Sequence, residues 1–420
     1  MKKIPYILLL SFVFSLTISC GGEDDTPPPA LEVDEENPTA PTNLIALLSN
    51  ETSIDLSWDA ATDNEGVTGY SIFQDGIMVQ NNVSGTSTTV ADLTAETSYN
   101  FYVVAFDAAE NKSEPSASID ASTALTFRTS LSEMGVFQSV NGDITPANRV
   151  HLYEINSTLF TDYAKKQRLI RLPEGTKMRP NGNDLLPIFP DNTLIAKTFY
   201  YNIDDRDPSL GKQIIETRIF LKIAGKWQAG DYIWNDAQTE ATYTTNGSQK
   251  PINYIDLNGT TQDVQYQIPS QQDCFTCHNN NDNTFPIGFK LRSMNFVPSY
   301  ANQNQLDHFM SKGILEGVNS AGVSVLPDWT NTTDYTLDER ARAYIDVNCA
   351  HCHQPGGSIA SFGLDFRYET PFEDTGIYAN RGEIENRFGS LLPTYRMPQL
   401  GRTIIHEEAL EMLIDYIDAL

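Results

Sequence analysis

The stretch NCAHCHQPGG at residues 348–357 decides the fold of the C-terminal part of the chain. It holds two cysteines separated by two residues and a histidine directly after the second, and CFTCH at residues 274–278 repeats this arrangement. Thiols at this spacing can bond to the two vinyl groups on one porphyrin edge, and the adjacent histidine then reaches the iron. Two covalently attached haem c groups are therefore predicted. The predicted attachment sites are Cys274, Cys277, Cys349 and Cys352, and the predicted proximal iron ligands are His278 and His353.

A zinc site and a thiol redox pair are the competing interpretations of these cysteines. Zinc sites also use paired Cys-x-x-Cys, but they do not need a histidine beside each pair. A redox pair is expected at the start of a helix in a βαβ setting, and the sequence around both motifs lacks that pattern.

The second motif lies between two predicted helices. Thr336 can cap a helix over Leu337–Val347, and a final amphipathic helix is predicted over Glu407–Ala419. Arg396-Met397-Pro398 lies between the motif and the final helix. This order closely resembles a class I cytochrome c. The resemblance implies that Met397 is the distal ligand of the second haem.

The first motif has less around it. The loop Phe285–Gly288 can orient His278 through a backbone carbonyl, and a short helix is predicted over Asn304–Leu315. Candidates for the distal ligand of the first haem are, in order, His308, Met310 and Met294, and an open sixth position or Met178 is an equal alternative. The remaining histidines are not assigned as ligands: His351 is expected to point away from the iron, His406 to lie at the surface, and His151 to have no partner.

The N-terminus predicts export. A basic start and the short apolar run Ile7–Ile18 indicate a signal peptide over residues 1–19. Cys20 directly after it resembles the lipidated cysteine of bacterial lipoproteins, and residues 20–37 form an acidic linker. The resemblance implies an exported, lipid-anchored protein of the outer membrane, on its periplasmic or cell-surface side.

Residues 38–124 alternate apolar and polar side chains in short runs, as in Ile54–Trp58. Leu93 with Tyr99 has the spacing of a tyrosine corner. The segment resembles a fibronectin type III domain, which implies a β-sandwich that serves as a spacer or docking module.

Residues 125–268 are predicted to form a second β-rich domain, since Ala196–Tyr201 and Glu216–Leu221 carry strand-forming residues. Its aromatic set Trp227, Tyr232 and Trp234 fits a core better than a ligand site, and no catalytic residues can be assigned. From Leu125 onward the chain resembles a bacterial dihaem c-type cytochrome family of unassigned role. The predicted fold is thus an all-β N-terminal half followed by mainly helical, cytochrome c-like haem domains at 269–335 and 336–420.

A net charge of −27 excludes general nucleic-acid binding. It is compatible with a basic redox partner or a cationic surface, and equally with a charge that serves only to solvate the exterior. Electron transfer at the cell envelope is the leading hypothesis. The alternatives are a dihaem peroxidase-type enzyme and a surface binding protein with accessory haems, and the small-molecule substrate of an enzyme is not predicted.

Overall fold

The computed structural model describes residues 34–182 and 184–420. The predicted signal peptide, Cys20 and most of the acidic linker lie outside the described residues. Within the part of the chain that is described, no helix has both the length and the apolar character needed to cross a membrane.

A sandwich of two antiparallel sheets comes first. Its strands are β1 Thr42–Ser49, β2 Ile54–Asp59, β3 Gly69–Gln74, β4 Ile77–Val83, β5 Ser87–Val90, β6 Ser98–Phe106 and β7 Ile119–Ser122. The strand orders are β1-β2-β5 and β4-β3-β6-β7. Alternate side chains of β2 and β6, among them Trp58 and Phe101, form the core between the sheets. The tyrosine corner is confirmed, because the Tyr99 hydroxyl accepts a hydrogen bond from the Thr94 N–H at 2.8 Å.

A six-stranded antiparallel sheet forms the centre of the second β-rich region. Its strands, in spatial order, are β13 Ala241–Thr244, β12 Lys226–Trp234, β11 Lys212–Ile223, β10 Leu194–Asn202, β9 Lys165–Arg171 and β8 His151–Leu152. A separate hairpin consists of β14 Ser248–Ile255 and β15 Thr261–Ile268. Trp227, Tyr232 and Trp234 are all buried in the cores on this sheet, as predicted.

Both faces of this sheet are covered. On β10, Leu194 and Ala196 belong to a core that also contains residues 124–150, whereas Ile195 belongs to a core shared with residues 289–315. Because successive strand residues point to opposite faces, the Ile195 face also carries Lys197. The candidate functional site lies on this second face.

The remaining elements are short. They are α1 Gln271–Cys277, β16 Asn279–Asn280, β17 Asn283–Thr284, α2 Gln305–Ser311, α3 Leu337–Asn348, α4 Ile377–Phe388 and α5 Glu407–Asp418. Short 3-10 helices cover Leu131–Met134, Pro208–Leu210, Leu291–Ser293, Ser320–Gly322, Ala360–Phe362 and Phe372–Asp374.

The prediction of mainly helical structure is wrong for residues 269–335. The α-helices there are α1 and α2, of seven residues each, and the rest of the segment is a two-stranded hairpin, two 3-10 turns and loops. The segment shares its core with the sheet, since Phe289 and Leu306 pack with Ile195. Its two short helices have few buried positions of their own, so the segment buries its apolar side chains against the sheet.

The predicted helices around the second motif are confirmed within one residue at their ends. Thr336 caps α3 through a capping box, in which its hydroxyl accepts from the Glu339 N–H at 3.3 Å and the Glu339 carboxylate accepts from the Thr336 N–H at 2.9 Å. Side chains of α3, α4 and α5 share one core, which includes Tyr344, Ile377 and Leu413. Helix α4 was not predicted.

Candidate functional site

The fold brings the two Cys-x-x-Cys-His motifs together. Helix α1 carries the first motif, and the second begins at Cys349, directly after α3 ends. Backbone bonds join the loops behind the motifs, because the Asn281 N–H donates to the Gly356 carbonyl at 2.8 Å. As a result, the sulfur atoms of Cys277 and Cys352 and a ring nitrogen of His351 lie within 4.8 Å of one another.

His278 is oriented as an iron ligand requires. Its Nδ1 donates to the backbone carbonyl of Phe285 at 2.8 Å, so the predicted role of the Phe285–Gly288 loop is confirmed. This bond leaves the lone pair of Nε2 available for a metal. The ring of Phe220 lies 4.5 Å away between centroids. Burial lowers the pKa of His278 to about 3, so the imidazole is neutral, as metal ligation demands.

His353 is held differently. Its ring packs 4.8 Å from that of Phe366, and its backbone carbonyl accepts from the Phe366 N–H at 2.9 Å. Nδ1 is buried and has no hydrogen-bond partner among the described residues. Burial lowers the pKa of His353 to about 4. His353 therefore lacks the backbone hydrogen bond that fixes the ring of His278, and its ring is positioned by packing against Phe366 instead.

Met397 lies half-buried in the segment between α4 and α5. Its N–H donates to the Arg387 carbonyl at 3.0 Å, and the charge of Arg387 contributes to lowering the pKa of His353. The assignment of Met397 as a distal ligand stays a prediction.

None of the four cysteines in the motifs forms a disulfide. Burial raises the pKa of Cys274 to about 11 and that of Cys349 to about 12. The other two thiols share a proton: a hydrogen bond from Cys277 lowers the pKa of Cys352 to about 4, and the same bond raises the pKa of Cys277. The four thiols are half-buried rather than sealed in a core, so they remain available for bonding.

A cavity of about 960 Å³, including its open mouth, lies beside the first motif. The sheet contributes Ile195, Lys197, Arg218 and Phe220 to its lining, and the first motif contributes Cys274, Cys277 and His278. Residues 336–420, called the helical unit below, contribute Asn348, His351, Pro398, Leu400 and Gly401. The apolar walls and the two thiols with their histidine fit a haem bound through Cys274 and Cys277.

The candidates for the first distal ligand lie elsewhere. Met294 and Met178 are fully buried in the core between the sheet and the first motif segment, and Met310 packs against that core. His308 is half-buried, with its ring 5.7 Å from that of Tyr300. None of the four lines the cavity beside His278, so the identity of this ligand stays a prediction.

Two histidines have roles that sequence reasoning missed. His406 was expected at the surface but is 8% exposed: its Nδ1 lies 2.8 Å from the Tyr344 hydroxyl, and its ring stacks on Phe160 at 4.1 Å. His351 is also buried, lines the cavity and bonds the Cys352 thiol. The partners of His406 are distant in sequence, so no local pattern could have revealed them. His151 is half-buried, and burial lowers its pKa.

Comparison with known proteins finds similarity in the sandwich. Residues 39–122 match the fibronectin type III domain. Chitinase A1 of Niallia circulans is 47% identical over 91 residues, which are 22% of this chain and 13% of that protein. Exoglucanase B of Cellulomonas fimi is 42% identical over 93 residues, 22% of this chain and 8% of that protein. The chain thus spans only a small part of the length of these relatives.

A solved fibronectin type III-like protein from Clostridium thermocellum is 21% identical and covers 22% of this chain and 100% of its own, with a TM-score of 0.19.

These comparisons contradict the predicted function. The matching relatives include chitinases, an alpha-amylase and exoglucanases, and those proteins are not cytochromes. The prediction of an electron-transfer cytochrome, with its peroxidase-type and surface-binding alternatives, is therefore wrong by this criterion. Because the match lies within the sandwich, the chemistry of residues 269–420 has to be argued from those residues themselves.

Proposed function

We propose that residues 269–420 bind two haem groups covalently, one through Cys274 and Cys277 and one through Cys349 and Cys352. His278 and His353 are the proximal ligands in this proposal, and Met397 is the distal ligand of the second haem. The observation that carries it is the bond between His278 Nδ1 and the Phe285 carbonyl beside a cavity that both thiols of the motif line. The dihaem family that the sequence resembles supports the same arrangement.

The chain's own residues prepare the site for such a group. Helix α1 places two thiols on one wall of the cavity, and the Phe285 carbonyl sets the ring orientation of His278. The rings of Tyr153 and Phe220 also line the cavity and give it apolar surface. A bound haem would supply an iron centre whose ligand binding and reduction potential depend on these surroundings.

Zinc binding is the second candidate for the same residues. Cys277, Cys352 and His351 offer two sulfur atoms and one ring nitrogen within 4.8 Å, and zinc favours this combination of donors. Haem attachment and zinc binding exclude each other in one molecule, because Cys277 and Cys352 either form thioether bonds or bind zinc as thiolates.

The test is the haem content of the purified full chain after expression with a c-type maturation system. The pyridine haemochrome spectrum and the intact mass, both measured after denaturation, should show two haems per chain. A chain that carries no covalent haem but one equivalent of zinc would refute haem attachment and establish the zinc site. Omitting the maturation system provides the matched control, since thioether bonds then do not form.

We further propose that the chain is exported and anchored through Cys20, with the sandwich as a spacer. Replacing Cys20 by serine should release the protein from the membrane fraction, and its continued sedimentation with membranes would contradict the anchor. Cys20→Ala serves as a second variant that also lacks the thiol.

Association with polysaccharide is a second proposed property of the sandwich. Its relatives are domains of chitinases and exoglucanases, and it carries a pair of stacked rings, Phe73 and Tyr102, with centroids 4.7 Å apart on the outer side of β3 and β6. Flat apolar ring faces of this kind suit the apolar faces of sugars. The full chain should co-sediment with insoluble chitin or cellulose, and Phe73→Ala should weaken this. Co-sedimentation unchanged in Phe73→Ala and in Tyr102→Ala would contradict the role of the pair.

A further inference from the structure

Three basic side chains lie in one row on the face of the sheet that borders the cavity. In the antiparallel register, Lys197 of β10 lies directly opposite Arg168 of β9 on one side and Arg218 of β11 on the other. All three therefore project from the same face of the sheet. Like charges directly opposite one another destabilise a sheet, so the row requires negative charge nearby. Its presence is notable in a chain with a net charge of −27.

The negative charge on the protein does not neutralise this row. Arg218 is paired with the buried Glu216, whose carboxylate lies 3.0 Å from Arg218 Nε and also accepts from the Tyr266 hydroxyl at 2.6 Å. Asp231 lies next to Arg218 in the register, and burial and the charge of Glu216 raise its pKa well above the usual range. Burial, together with the charges of Arg168, Lys166 and Arg218, lowers the pKa of Lys197 well below its usual range, so the row lacks compensating negative charge.

Lys197 and Arg168 lack partners of their own. Among the described residues, Lys197 Nζ makes no ion pair or hydrogen bond, and its nearest aromatic ring is that of Phe199 at 5.2 Å. Arg168 is buried, and its Nη2 has no hydrogen-bond partner within the described part of the chain. A buried guanidinium nitrogen without an acceptor is costly, because guanidinium is always charged. The two side chains are therefore prepared for an anion.

The row faces the same cavity as the first motif. Lys197 and Arg218 line it together with Cys274, Cys277 and His278. Arg168 does not line the cavity itself, but it lies opposite Lys197 in the register and close enough to Tyr153 of the lining for its charge to lower the pKa of that phenol. A haem attached through its vinyl edge carries two propionate carboxylates on the opposite edge. We infer that Lys197 and Arg168 bind the propionate carboxylates of the haem attached at Cys274 and Cys277. This inference rests on the proposed haem attachment and deepens it by assigning this face of the sheet a role in positioning the group.

The test is a redox titration of the full chain carrying both haems, followed in the Soret band. Removing a cation near one haem favours its ferric form, which has the higher positive charge. Lys197→Gln should therefore lower the midpoint potential of one haem and leave the other unchanged, and Lys197→Arg should restore it. Lys226→Gln, at the exposed start of β12, is the matched control and should leave both potentials unchanged.

A second readout is the pH dependence of that potential. Propionates held by cations lose their protons at lower pH, so Lys197→Gln should move the pH step of the affected haem upward. If Lys197→Gln does not fold, Arg168→Gln is expected to shift the same potential in the same direction. Two haems attached with both potentials and both pH steps unchanged would overturn the inference while leaving haem attachment intact.

A final experiment with inorganic phosphate distinguishes binding of the haem propionates from binding of a free anion. If the row instead binds a free anion, added inorganic phosphate would shift a potential of the wild-type protein, and Lys197→Gln would abolish that response. This result would overturn the inference. Potentials insensitive to phosphate, together with the shift in Lys197→Gln, would support it. Absence of covalent haem in the wild type would refute the proposed function itself, and the haemochrome spectrum reports that outcome separately.

Discussion

The two Cys-x-x-Cys-His motifs share their chemistry and differ in what supports them. The first lies on α1, a helix of seven residues with no fully buried side chain, placed on the face of a β-sheet. The second follows α3, a helix of twelve residues with eight buried positions, of which Ala341, Tyr344 and Ile345 pack in a core shared with α4 and α5. His278 is oriented by a carbonyl seven residues further on, whereas the buried Nδ1 of His353 has no partner among the described residues.

This difference shows that a local motif defines the donors and that the surroundings define their orientation. At the first motif a short loop can orient the histidine ring, because Phe285 is close in sequence to His278. At the second, orientation depends on packing against Phe366 and on the helices that hold the loop. The first site should therefore depend on local bonds, and the second on the helical core.

The largest expected effect is the loss of one haem per chain when the two cysteines of either motif are replaced. The double variant Cys274→Ser and Cys277→Ser should retain one haem per chain, and so should Cys349→Ser with Cys352→Ser, because each motif bonds its own porphyrin. Intact mass and the pyridine haemochrome spectrum after denaturation measure this. Thr276→Ser, at an exposed position within the first motif, should retain two haems. Loss of both haems from either double variant would show that the sites do not load independently.

The next prediction concerns the ligand that distinguishes the second site. Met397→Ala should leave both haems attached but convert one to high spin or lower its reduction potential, since a thioether ligand raises the potential. Optical spectroscopy and redox titration measure the change. Met412→Leu, in the core of the same helical unit, should leave the spectrum unchanged. An unaltered spectrum and potential in Met397→Ala would refute the ligand assignment.

His406 links α5 to α3 and should make the helical unit sensitive to acid. Burial lowers its pKa from 6.5 to about 4, so the unfolded chain binds a proton more readily than the folded chain. Its contribution to stability is complete above pH 6.5 and is lost as the pH falls toward 4, by up to about 3 kcal/mol. Urea unfolding of the helical unit at pH 7 and pH 4.5 measures this loss.

His406→Phe should reduce the pH dependence of unfolding, whatever its effect at pH 7. Tyr344→Phe removes the hydroxyl partner of His406 but keeps the imidazole buried, so this control should keep the wild-type dependence. An equal loss of stability on acidification in wild type and His406→Phe would contradict the assignment.

The smallest effect compares the two helix caps. Ser270 and Thr336 each form a capping box, with Asp273 and Glu339. Alanine at either position should cost about 1 kcal/mol of helix stability. Amide hydrogen exchange should detect the loss as faster exchange throughout α1 in Ser270→Ala, but only near the first turn of α3 in Thr336→Ala, because α3 is also held by its core. Ser270→Thr and Thr336→Ser keep the hydroxyl and should leave exchange unchanged.

The sequence by itself determined the local features of this protein. The alternation in β2 and the spacing of Leu93 and Tyr99 predicted the sandwich, and Thr336 predicted the start of α3. The donors of both motifs and the Phe285 loop were also visible. These features depend on neighbouring residues, because strand alternation, helix capping and a short loop act over fewer than about ten residues.

Tertiary structure alone decided how distant segments combine. The meeting of the two motifs, the burial of His406 against Phe160, and the row formed by Arg168, Lys197 and Arg218 all join residues from separate elements. The first motif segment lies on the sheet instead of forming its own helical domain, because its apolar side chains are buried in one core with those of the sheet. Contacts of this kind follow from which apolar faces are buried together, and that choice involves the whole chain.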